Sequence, residues 1–444
     1  MENNHTIFET FVGAGGSHIG FKNKGFKSVY VNDNNVDCIK TLLRNNPEIK
    51  NTAIVDLKSI IDIEVKDLLE KIKLQKNELD VVFGGIVCKG FSLAGERSPN
   101  DERNYFYHKQ LEIVNELKPK ISIIENVKAF LNGKVLSEIT PSEIKEKVDV
   151  IWKQLENYKG QKAELRKKDN INNDFLQQGL YLRREKENLM SLIQKENYLI
   201  SVIDDIYKIY DKMGYNVSHK ILNTAWYGSS TKRERVIIVA TRKDLPNNFV
   251  YPFPKYNSKE ISTKLDFDNI NDNNNFLTPI SIGEALKKIN YNDKNDLDNL
   301  PMNHSVKTVD RFKFIKEGGN IQEIMDELPE NLKISNFYSR GNTMRLSMKL
   351  LAPTLVPGHS NFPVHPKEHR SITVREAAII TGFPIDYEFI GSHTKRCEHV
   401  GNAVPPPLAE AIAEECINYL NKIVPVTNKE SNKFDKYSEA ILSI

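Results

Sequence analysis

The stretch from Asp80 to Ser92 constrains the fold of this chain more than any other. An apolar run that starts at Val81 ends in two glycines, which is the pattern of a short buried strand that stops abruptly in a loop. Cys88 follows, and a polar loop then extends to Asn104. Ligands bind outside the carboxyl ends of the strands in an open α/β sheet, so a nucleophile would be useful here. A buried structural cysteine is the alternative interpretation, because free cysteine is among the most buried residue types.

Strand patterns and helical patterns alternate along much of the chain, and several of the strands end in a polar residue. The helical patterns on either side of the Cys88 strand cover residues 64–76 and 106–117. This alternation predicts an α/β fold with a doubly wound, mostly parallel sheet and a functional site along one of its edges. Predicted strands cover residues 6–11, 28–31, 52–55, 81–86, 121–124, 214–223 and 236–240.

A glycine-rich turn, Val12 to Gly16, follows the first predicted strand, and the second strand ends at Asp33. Strand, glycine turn, helix and strand with a terminal acid outline a nucleotide-binding unit, in which the acid accepts hydrogen bonds from ribose hydroxyls. His18 stands where a dinucleotide site requires its third glycine. A pyrophosphate ligand, and with it a nicotinamide-dependent oxidoreductase, is therefore disfavoured, whereas a nucleoside ligand without phosphates remains open.

Composition limits the remaining classes of function. The 444 residues suffice for two domains, and the net charge of +3 is too small to argue for a nucleic-acid partner by itself. No apolar run is long enough to span a membrane, so no membrane partner is expected. The four cysteines, widely and irregularly spaced, exclude a disulfide scaffold and a Cys-x-x-Cys metal site and suit a reducing cytosol. We predict no metal site.

Two segments interrupt the alternating pattern. Residues 135–205 are rich in Lys, Glu, Gln and Asn with spaced Leu and Ile, which predicts two or three long amphipathic helices. A solvated structural insertion is favoured there over a contact with DNA or a partner. Residues 245–368 are rich in proline and asparagine and predict an irregular second domain. Beyond them, Thr373 predicts a helix N-cap, and a last helix is expected over 408–420.

In this order, the segments resemble the DNA (cytosine-5)-methyltransferase family, and the resemblance covers most of the chain. It implies the class I fold of enzymes dependent on S-adenosyl-L-methionine, with a catalytic domain over 1–244, a smaller irregular target-recognition domain over 245–368 and a supporting segment over 369–444. The matching motifs are Phe11-Val-Gly13-Ala-Gly15-Gly16, Asp33, Asp56-Leu57, Gly84 to Gly95, Asp101 to Asn104, Glu125-Asn126-Val127, Thr231 to Arg235, Arg375-Glu376-Ala377 with Gly382-Phe383-Pro384, and Gly401 to Pro405.

The resemblance implies a covalent mechanism. C5 of cytosine is a poor nucleophile, so the Cys88 thiolate first adds to C6 of a base flipped out of the duplex. Glu125 acts as the acid near N3, and Arg235, with Arg233, binds the O2 side. The cofactor-binding residues implied by the resemblance are Phe11, Gly13, Gly15, Gly16, Asp33, Asp56, Leu57, Asn402 and Val404.

The implied substrate is double-stranded DNA, and the implied location is the bacterial cytoplasm, at the nucleoid. A cognate restriction endonuclease acting separately is the expected companion of this type of enzyme. Base-reading side chains are expected within 245–368, because bases are read by residues such as Arg, Lys, Asn and Gln. The candidate DNA contacts are Lys89, Ser92, Arg97, Arg340 and Arg345.

The chain departs from the family pattern at a few positions. Val87 and Lys89 flank the cysteine where the family has proline and glutamine, and Thr231 replaces a glutamine. We expect these changes to tune the rate rather than abolish activity. Two alternatives stay open: a weakly active or inactive relative that binds DNA sequence-specifically, and an RNA cytosine-C5 methyltransferase. Cys88 together with Glu125 favours an enzyme, since a binding module has no use for this pair.

Overall fold

A computed structural model describes residues 5–86, 98–101, 106–167, 171–245, 249–267, 275–335, 341–358 and 361–423. Over these ranges no helix is both long and apolar enough to cross a membrane. The same ranges contain no group of three or more His, Cys, Asp or Glu side chains arranged to hold a metal ion.

A seven-stranded sheet forms the centre of the molecule, in the order β3-β2-β1-β4-β5-β9-β8. The strands from β3 to β5 are parallel, and β9 and β8 are antiparallel to their neighbours. The predicted doubly wound, mostly parallel sheet is therefore confirmed. The strands are β1 (Thr6–Thr10), β2 (Lys27–Asn32), β3 (Ile54–Asp56), β4 (Val81–Gly85), β5 (Ile121–Val127), β8 (Tyr215–Asn223) and β9 (Glu234–Arg242), with a separate pair formed by β6 (Lys134–Leu136) and β7 (Leu199–Ser201).

Helices cover both faces of this sheet, and buried apolar side chains fill the two layers between them and the strands. The helices are α1 (Gly16–Asn23), α2 (Val36–Asn45), α3 (Ile49–Thr52), α4 (Leu68–Ile72), α5 (Phe106–Leu117), α6 (Ser142–Lys167), α7 (Asn173–Lys195), α8 (Val202–Lys212), α9 (Ile282–Leu286), α10 (Val306–Phe314), α11 (Val374–Thr381), α12 (His393–Asn402) and α13 (Pro406–Ile423).

The order of the strands reverses at β1, and this reversal positions the site. The chain moves outward from β1 through β2 to β3, and then returns to the other side of β1 to build β4 and β5. Register places Thr10 beside both Asn32 and Gly84, and Gly85 beside Glu125. The carboxyl ends of β1, β2, β4 and β5 therefore form one edge, where ligands bind in open α/β sheets.

Most of the predicted helices are present, and one is much shorter than expected. The 106–117 helix is confirmed as α5, and Thr373 caps α11 through a capping box with Glu376. The predicted helix over 64–76 is wrong in length, since only Leu68–Ile72 is α-helical. It ends because Lys73 adopts the left-handed conformation, with φ of 56°.

The predicted helical insertion is an antiparallel hairpin of α6 and α7. Its base is closed by β6 and β7, which pair Lys134 with Ser201 and Leu136 with Leu199. Apolar side chains from β6 and both helices then form a small core of their own, which includes Val148 and Trp152. The hairpin is therefore attached to the sheet domain through a two-stranded neck.

Within 245–368, the described residues form few regular elements, and they do not pack as one separate body. Tyr251 and Ile261 join the buried cluster beneath α13. Leu346 and Phe362 join the cluster that contains α9 and α11, while α10 lies over a smaller core around Val364. In packing, this segment is therefore shared between the sheet domain and a small module around α10.

Candidate active site

The glycine turn after β1 is held by a carboxylate at the end of β2. Gly13 N donates to Asp33 Oδ2 at 2.9 Å, and Asn35 N donates to Asp33 Oδ1 at 2.8 Å. Burial raises the pKa of the Asp33 carboxyl, although these two backbone donors act in the opposite direction. The turn needs glycine because Gly13 and Gly15 have φ of 56° and 90°, and even Phe11 adopts a φ of 51°. The predicted ribose acid thus also shapes the turn.

The turn and α1 are packed tightly against the last part of the chain. A Cβ on Gly16 would lie 2.1 Å from Val404 O, and a Cβ on Gly20 would lie 2.4 Å from Glu410 N. Tyr387 OH donates to Ala14 O at 2.7 Å. The structure therefore brings predicted cofactor residues 11–16 and Val404 together, although nearly 400 residues separate them in sequence. Asn402, at the end of α12, is exposed.

His18 takes part in a buried polar cluster below the turn. Its Nδ1 lies 2.9 Å from Glu9 Oε2, and Ser28 Oγ donates to the same carboxylate oxygen at 2.8 Å. Glu9 is fully buried and His18 nearly so. The residue that replaces the third glycine of a dinucleotide motif therefore anchors α1 to β1 and β2, which sequence reasoning did not foresee.

Asp56 ends β3, where its carbonyl accepts from Asp33 N at 3.2 Å, and Leu57 follows it. Tyr30 OH donates to Asp56 Oδ2 at 2.5 Å and Lys58 N donates to Oδ1 at 2.9 Å. Burial, followed by this bond to Asp56, raises the pKa of the Tyr30 hydroxyl, so it remains a donor. Leu57 is 47% exposed, which leaves an apolar surface next to a fixed carboxylate. An acceptor beside an apolar face suits a purine ring.

Glu125 and Arg235 form a buried ion pair at the same edge. Arg235 Nε lies 2.7 Å from Glu125 Oε1, and both side chains are more than 90% buried. The two residues come from neighbouring antiparallel strands, since β5 pairs Val127 with Arg235 of β9. Arg235 Nη1 also donates to Glu234 O at 2.7 Å. These bonds fix the direction in which the carboxyl group points.

The predicted catalytic and cofactor residues meet around Gly85. A Cβ on this glycine would lie 3.6 Å from Phe11 O, 3.7 Å from Glu125 Oε2 and 3.8 Å from Val404 Cγ2. The end of β4 therefore faces the glycine turn, the buried acid and the last motif at once. Cys88 comes three residues later in the sequence.

The Arg233 guanidinium donates hydrogen bonds to backbone carbonyl oxygens. Its Nη1 donates to Gly401 O at 2.8 Å and to Leu355 O at 3.2 Å. Burial, followed by the neighbouring Arg235, lowers the pKa of the Arg233 guanidinium, and Glu125 acts in the opposite direction. The structure thus places Arg233 behind Arg235, where it ties the start of β9 to the two segments that return from the rest of the chain.

Thr231 makes a backbone contact despite its departure from the family pattern. Its hydroxyl donates to Pro353 O at 2.8 Å, and its own carbonyl accepts from Thr224 Oγ1 at 2.9 Å. Threonine at this position lacks the side-chain amide of the glutamine that it replaces, which could bond to nearby backbone. The hydroxyl provides one such bond, so the packing of this turn against residues 352–355 is retained.

Several predicted residues lie outside the described part of the chain. These are Val87, Cys88, Lys89, Ser92, Arg97 and Arg340. The residue just before them, Ile86, is held by a side chain that sequence reasoning did not single out: Asn126 Nδ2 donates to Ile86 O at 3.2 Å. Its position next to Glu125 in the Glu-Asn-Val motif was the signal for this role.

Arg345 is not placed to contact DNA. The side chain is buried, and its guanidinium donates to four carbonyl oxygens at 2.5 to 2.7 Å, those of Phe312, Ile315, His365 and Glu368. A DNA contact would require these bonds to break and leave the carbonyls unsatisfied. Contrary to the prediction, Arg345 therefore stabilises the fold of residues 312–368 rather than contacting DNA.

The strand edge fits a nucleoside-bearing cofactor. Each carboxylate oxygen of Asp33 and Asp56 accepts one described backbone or hydroxyl donor, and an ionised carboxylate has about four acceptor positions. Leu57 adds an apolar face, and the turn at 13–16 allows close backbone approach. Acceptors for ribose hydroxyls and for an adenine amino group are thus present without a cradle for pyrophosphate.

This fold, with its site at the strand edge, defines a class I methyltransferase. The chain belongs to the C-5 cytosine-specific DNA methylase family, whose model matches residues 5–159 and 186–418. The chain is thus a DNA (cytosine-5)-methyltransferase, and the family and fold imply a cofactor of the S-adenosylmethionine type.

Curated relatives match nearly the whole chain. The type II methyltransferase M.Eco47II of Escherichia coli is 24% identical over 95% of this chain and 81% of its own length. M.DdeI of Desulfomicrobium norvegicum is 26% identical over 94% of this chain and 89% of its own. A crystal structure described as a proposed DNA modification methyltransferase encoded within an E. coli prophage aligns with a TM-score of 0.57 at 18% identity. It covers 94% of this chain and all of that structure, and it supports the fold.

Proposed function

We propose that this enzyme transfers a methyl group from S-adenosyl-L-methionine to C5 of cytosine in a specific sequence of double-stranded DNA, as part of a restriction–modification system. The observation that carries this proposal is the meeting of the glycine turn, the buried acid and the last motif around Gly85, three residues before Cys88. The names of M.Eco47II and M.DdeI as type II methyltransferases support the biological setting.

In the proposed mechanism, the Cys88 thiolate attacks C6 of the target cytosine, and a new S–C6 bond forms as the C5–C6 double bond opens. Electron density moves toward N3 and O2, which makes C5 nucleophilic like an enamine carbon. The target atoms lie inside the duplex, so the base must leave the stack before the attack.

As the thiolate adds to C6, a proton from solvent passes to N3 through the Glu125 carboxyl group, and Arg235 offsets the charge that develops on the O2 side. Their ion pair orients both groups before the base arrives, which lowers the reorganisation needed at the moment of reaction. Arg233 contributes by holding the backbone behind Arg235 rather than by touching the base.

S-adenosyl-L-methionine, when bound, supplies an electrophilic methyl group. On this chain, Asp33 would accept hydrogen bonds from the ribose hydroxyls, and Asp56 with Leu57 would hold the adenine. Phe11 and the glycine turn would line the side nearest Gly85. Once C5 carries the methyl group, a water molecule takes the proton from C5, the C5–C6 double bond re-forms, and the C6–S bond breaks so that Cys88 leaves as thiolate. The N3 proton returns through Glu125 to solvent.

Tritiated methyl transfer to unmethylated genomic DNA tests the proposal. Wild type is expected to place label on 5-methylcytosine, and Cys88→Ser is expected to place none while still binding the cofactor. Sequencing of the product would identify the target site. A folded, cofactor-binding wild type that transfers no label to DNA would overturn the proposal, and label on RNA alone would replace DNA as the substrate.

A further inference from the structure

The helical hairpin contacts the short described segment that follows Cys88 in the sequence. Asn100 Nδ2 donates to both carboxylate oxygens of Asp149 on α6, at 2.9 and 3.0 Å. Leu136 N, in β6 at the neck, donates to Pro99 O at 3.2 Å. One bond thus joins this segment to the first helix of the hairpin, and a second joins it to the base.

Residues 98–101 form a turn that links these two contacts. Asn100 N donates to Ser98 Oγ at 3.2 Å, and Asp101 N donates to Ser98 O at 3.3 Å. Because the backbone on either side of Asn100 is bonded within the turn, a shift of the Asn100 side chain also shifts its neighbours.

The hairpin has a buried core of its own where it makes these contacts. Asp149 follows Val148, which is fully buried in the small core between the neck, α6 and α7. The neck is closed further by Ser137 N donating to Tyr198 O at 2.8 Å and by Val202 N donating to Gly133 O at 3.0 Å. Asp149 is therefore an exposed acceptor on a fixed backbone.

The helix that follows the hairpin holds the other side of the same segment. Asp205 on α8 accepts from Tyr107 OH at 2.7 Å and lies 2.8 Å from His108 Nε2, both in the first turn of α5. Together, α6 and α8 hold the described residues on both sides of 102–105. At the other end, Asn126 holds Ile86.

We propose that the hairpin is a positioning element for the segment that carries Cys88, and that Asn100 and Asp149 are its positioning residues. This inference rests on the proposed function, because the segment matters here only if Cys88 is the nucleophile. Holding the described residues on either side of the segment, Ile86 and 98–101, reduces the conformational freedom lost when Cys88 meets the base. The contacts act through backbone position, so neither residue touches the substrate.

A set of four variants tests this role through the rate of methyl transfer. Asp149→Ala removes the acceptor, and Asn100→Asp places two carboxylates against each other. Each is expected to lower kcat about 3- to 10-fold, the size expected for loss of one ordinary exposed hydrogen bond. The KM for the cofactor and the melting temperature are expected to stay unchanged.

The exchanged pair, Asn100→Asp with Asp149→Asn, restores an amide–carboxylate bond in the opposite direction. Its kcat is expected to return to within about twofold of wild type, because residues in contact couple non-additively. Glu156→Gln, an exposed carboxylate further along α6, is the matched control and is expected to change nothing. A kcat of the exchanged pair no higher than that of Asn100→Asp would overturn the proposal.

Hydrogen exchange tests the contact without any activity. In Asp149→Ala, the amides of Asn100, Asp101 and Leu136 are expected to exchange faster than in wild type, in the absence of DNA. Exchange at the wild-type rate would overturn the positioning role, even if the enzyme is fully active. A different result would overturn only the proposed function: wild type transfers no methyl group, yet the amides still exchange faster in Asp149→Ala.

Discussion

Two buried arginines show how differently the strand edge and the irregular segment use the same side chain. Arg235 faces a carboxylate, Glu125, and the pair lies where the motifs meet. Arg345 faces carbonyl oxygens from two stretches of chain, 312–315 and 365–368. In a sheet, neighbouring strands satisfy the backbone carbonyls, whereas an irregular segment must find donors elsewhere. The Arg235 guanidinium can thus take part in the reaction, whereas the Arg345 guanidinium serves only to stabilise the fold.

The largest effect is expected from removing the acid of the strand-edge pair. Glu125→Gln should lower kcat by about 10²- to 10⁴-fold, the usual contribution of a positioned acid or base. The matched control is Asp244→Asn, which breaks the ion pair with Arg242 at the opposite end of β9. Steady-state kinetics with circular dichroism would check both variants. A Glu125→Gln enzyme as active as the control would contradict the role of this pair.

The arginine of the irregular segment should matter for stability instead. Arg345→Met leaves buried carbonyls without donors, and we expect the free energy of unfolding to fall by about 3 kcal/mol. Arg311→Met, which removes one bond to Leu332 O, should cost about 1 kcal/mol. Denaturant unfolding measures both. At temperatures where Arg345→Met is folded, its KM for DNA should equal that of wild type. A raised KM would show that Arg345 contacts DNA, contrary to what its burial indicates.

A buried histidine, His399, extends the comparison. Burial lowers the pKa of His399 to about 4, and Lys395 acts in the same direction, against Asp37 and Glu398. The unfolded state then binds more protons between pH 4 and pH 6.5, so stability is lost as pH falls through this window. The loss should approach roughly 2 kcal/mol at pH 5. Unfolding titrations of wild type and His399→Gln would check this, since the variant should lose less stability.

The smallest effect is expected where the two regions join. Thr231→Val removes the bond to Pro353 O and should lower the free energy of unfolding by about 1 kcal/mol. Its kcat should stay within a few-fold of wild type, since the backbone bridge to Ala352 remains. A loss as large as that of Glu125→Gln would show that this turn belongs to the catalytic machinery.

The sequence was most informative where short-range pattern sets the structure. Apolar runs ending in glycine or acid located the strands, and the turn at Gly13 and Gly15 requires residues that tolerate positive φ. The motifs also brought Glu125 and Arg235 together as candidates. The left-handed end of α4 at Lys73 was missed, because lysine carries no signal for that conformation.

Sequence pattern could not predict contacts between residues that are far apart in the chain. The sequence around Arg345 carries no sign that its N–H groups donate to the carbonyls of residues 312, 315, 365 and 368. The pattern therefore predicted an arginine that contacts DNA. Likewise, Asn100 and Asp149 belong to different segments, and only the packing of the hairpin brings them together. Such contacts depend on tertiary geometry, which local propensity does not determine.

The close packing of α1 on α13 also has a consequence for synthesis. The backbone of Gly20 rests against Ala409 and Glu410, so the first helix finds its permanent partner only when residues near 410 have left the ribosome. At roughly 5–20 residues per second, that takes about 20 to 80 seconds after α1 emerges. The apolar face of the nascent nucleotide-binding unit must stay unpaired for that time. The cell therefore gains a cofactor-competent enzyme only after α13 has been synthesised, and a chain interrupted before α13 would be a target for chaperones and proteases.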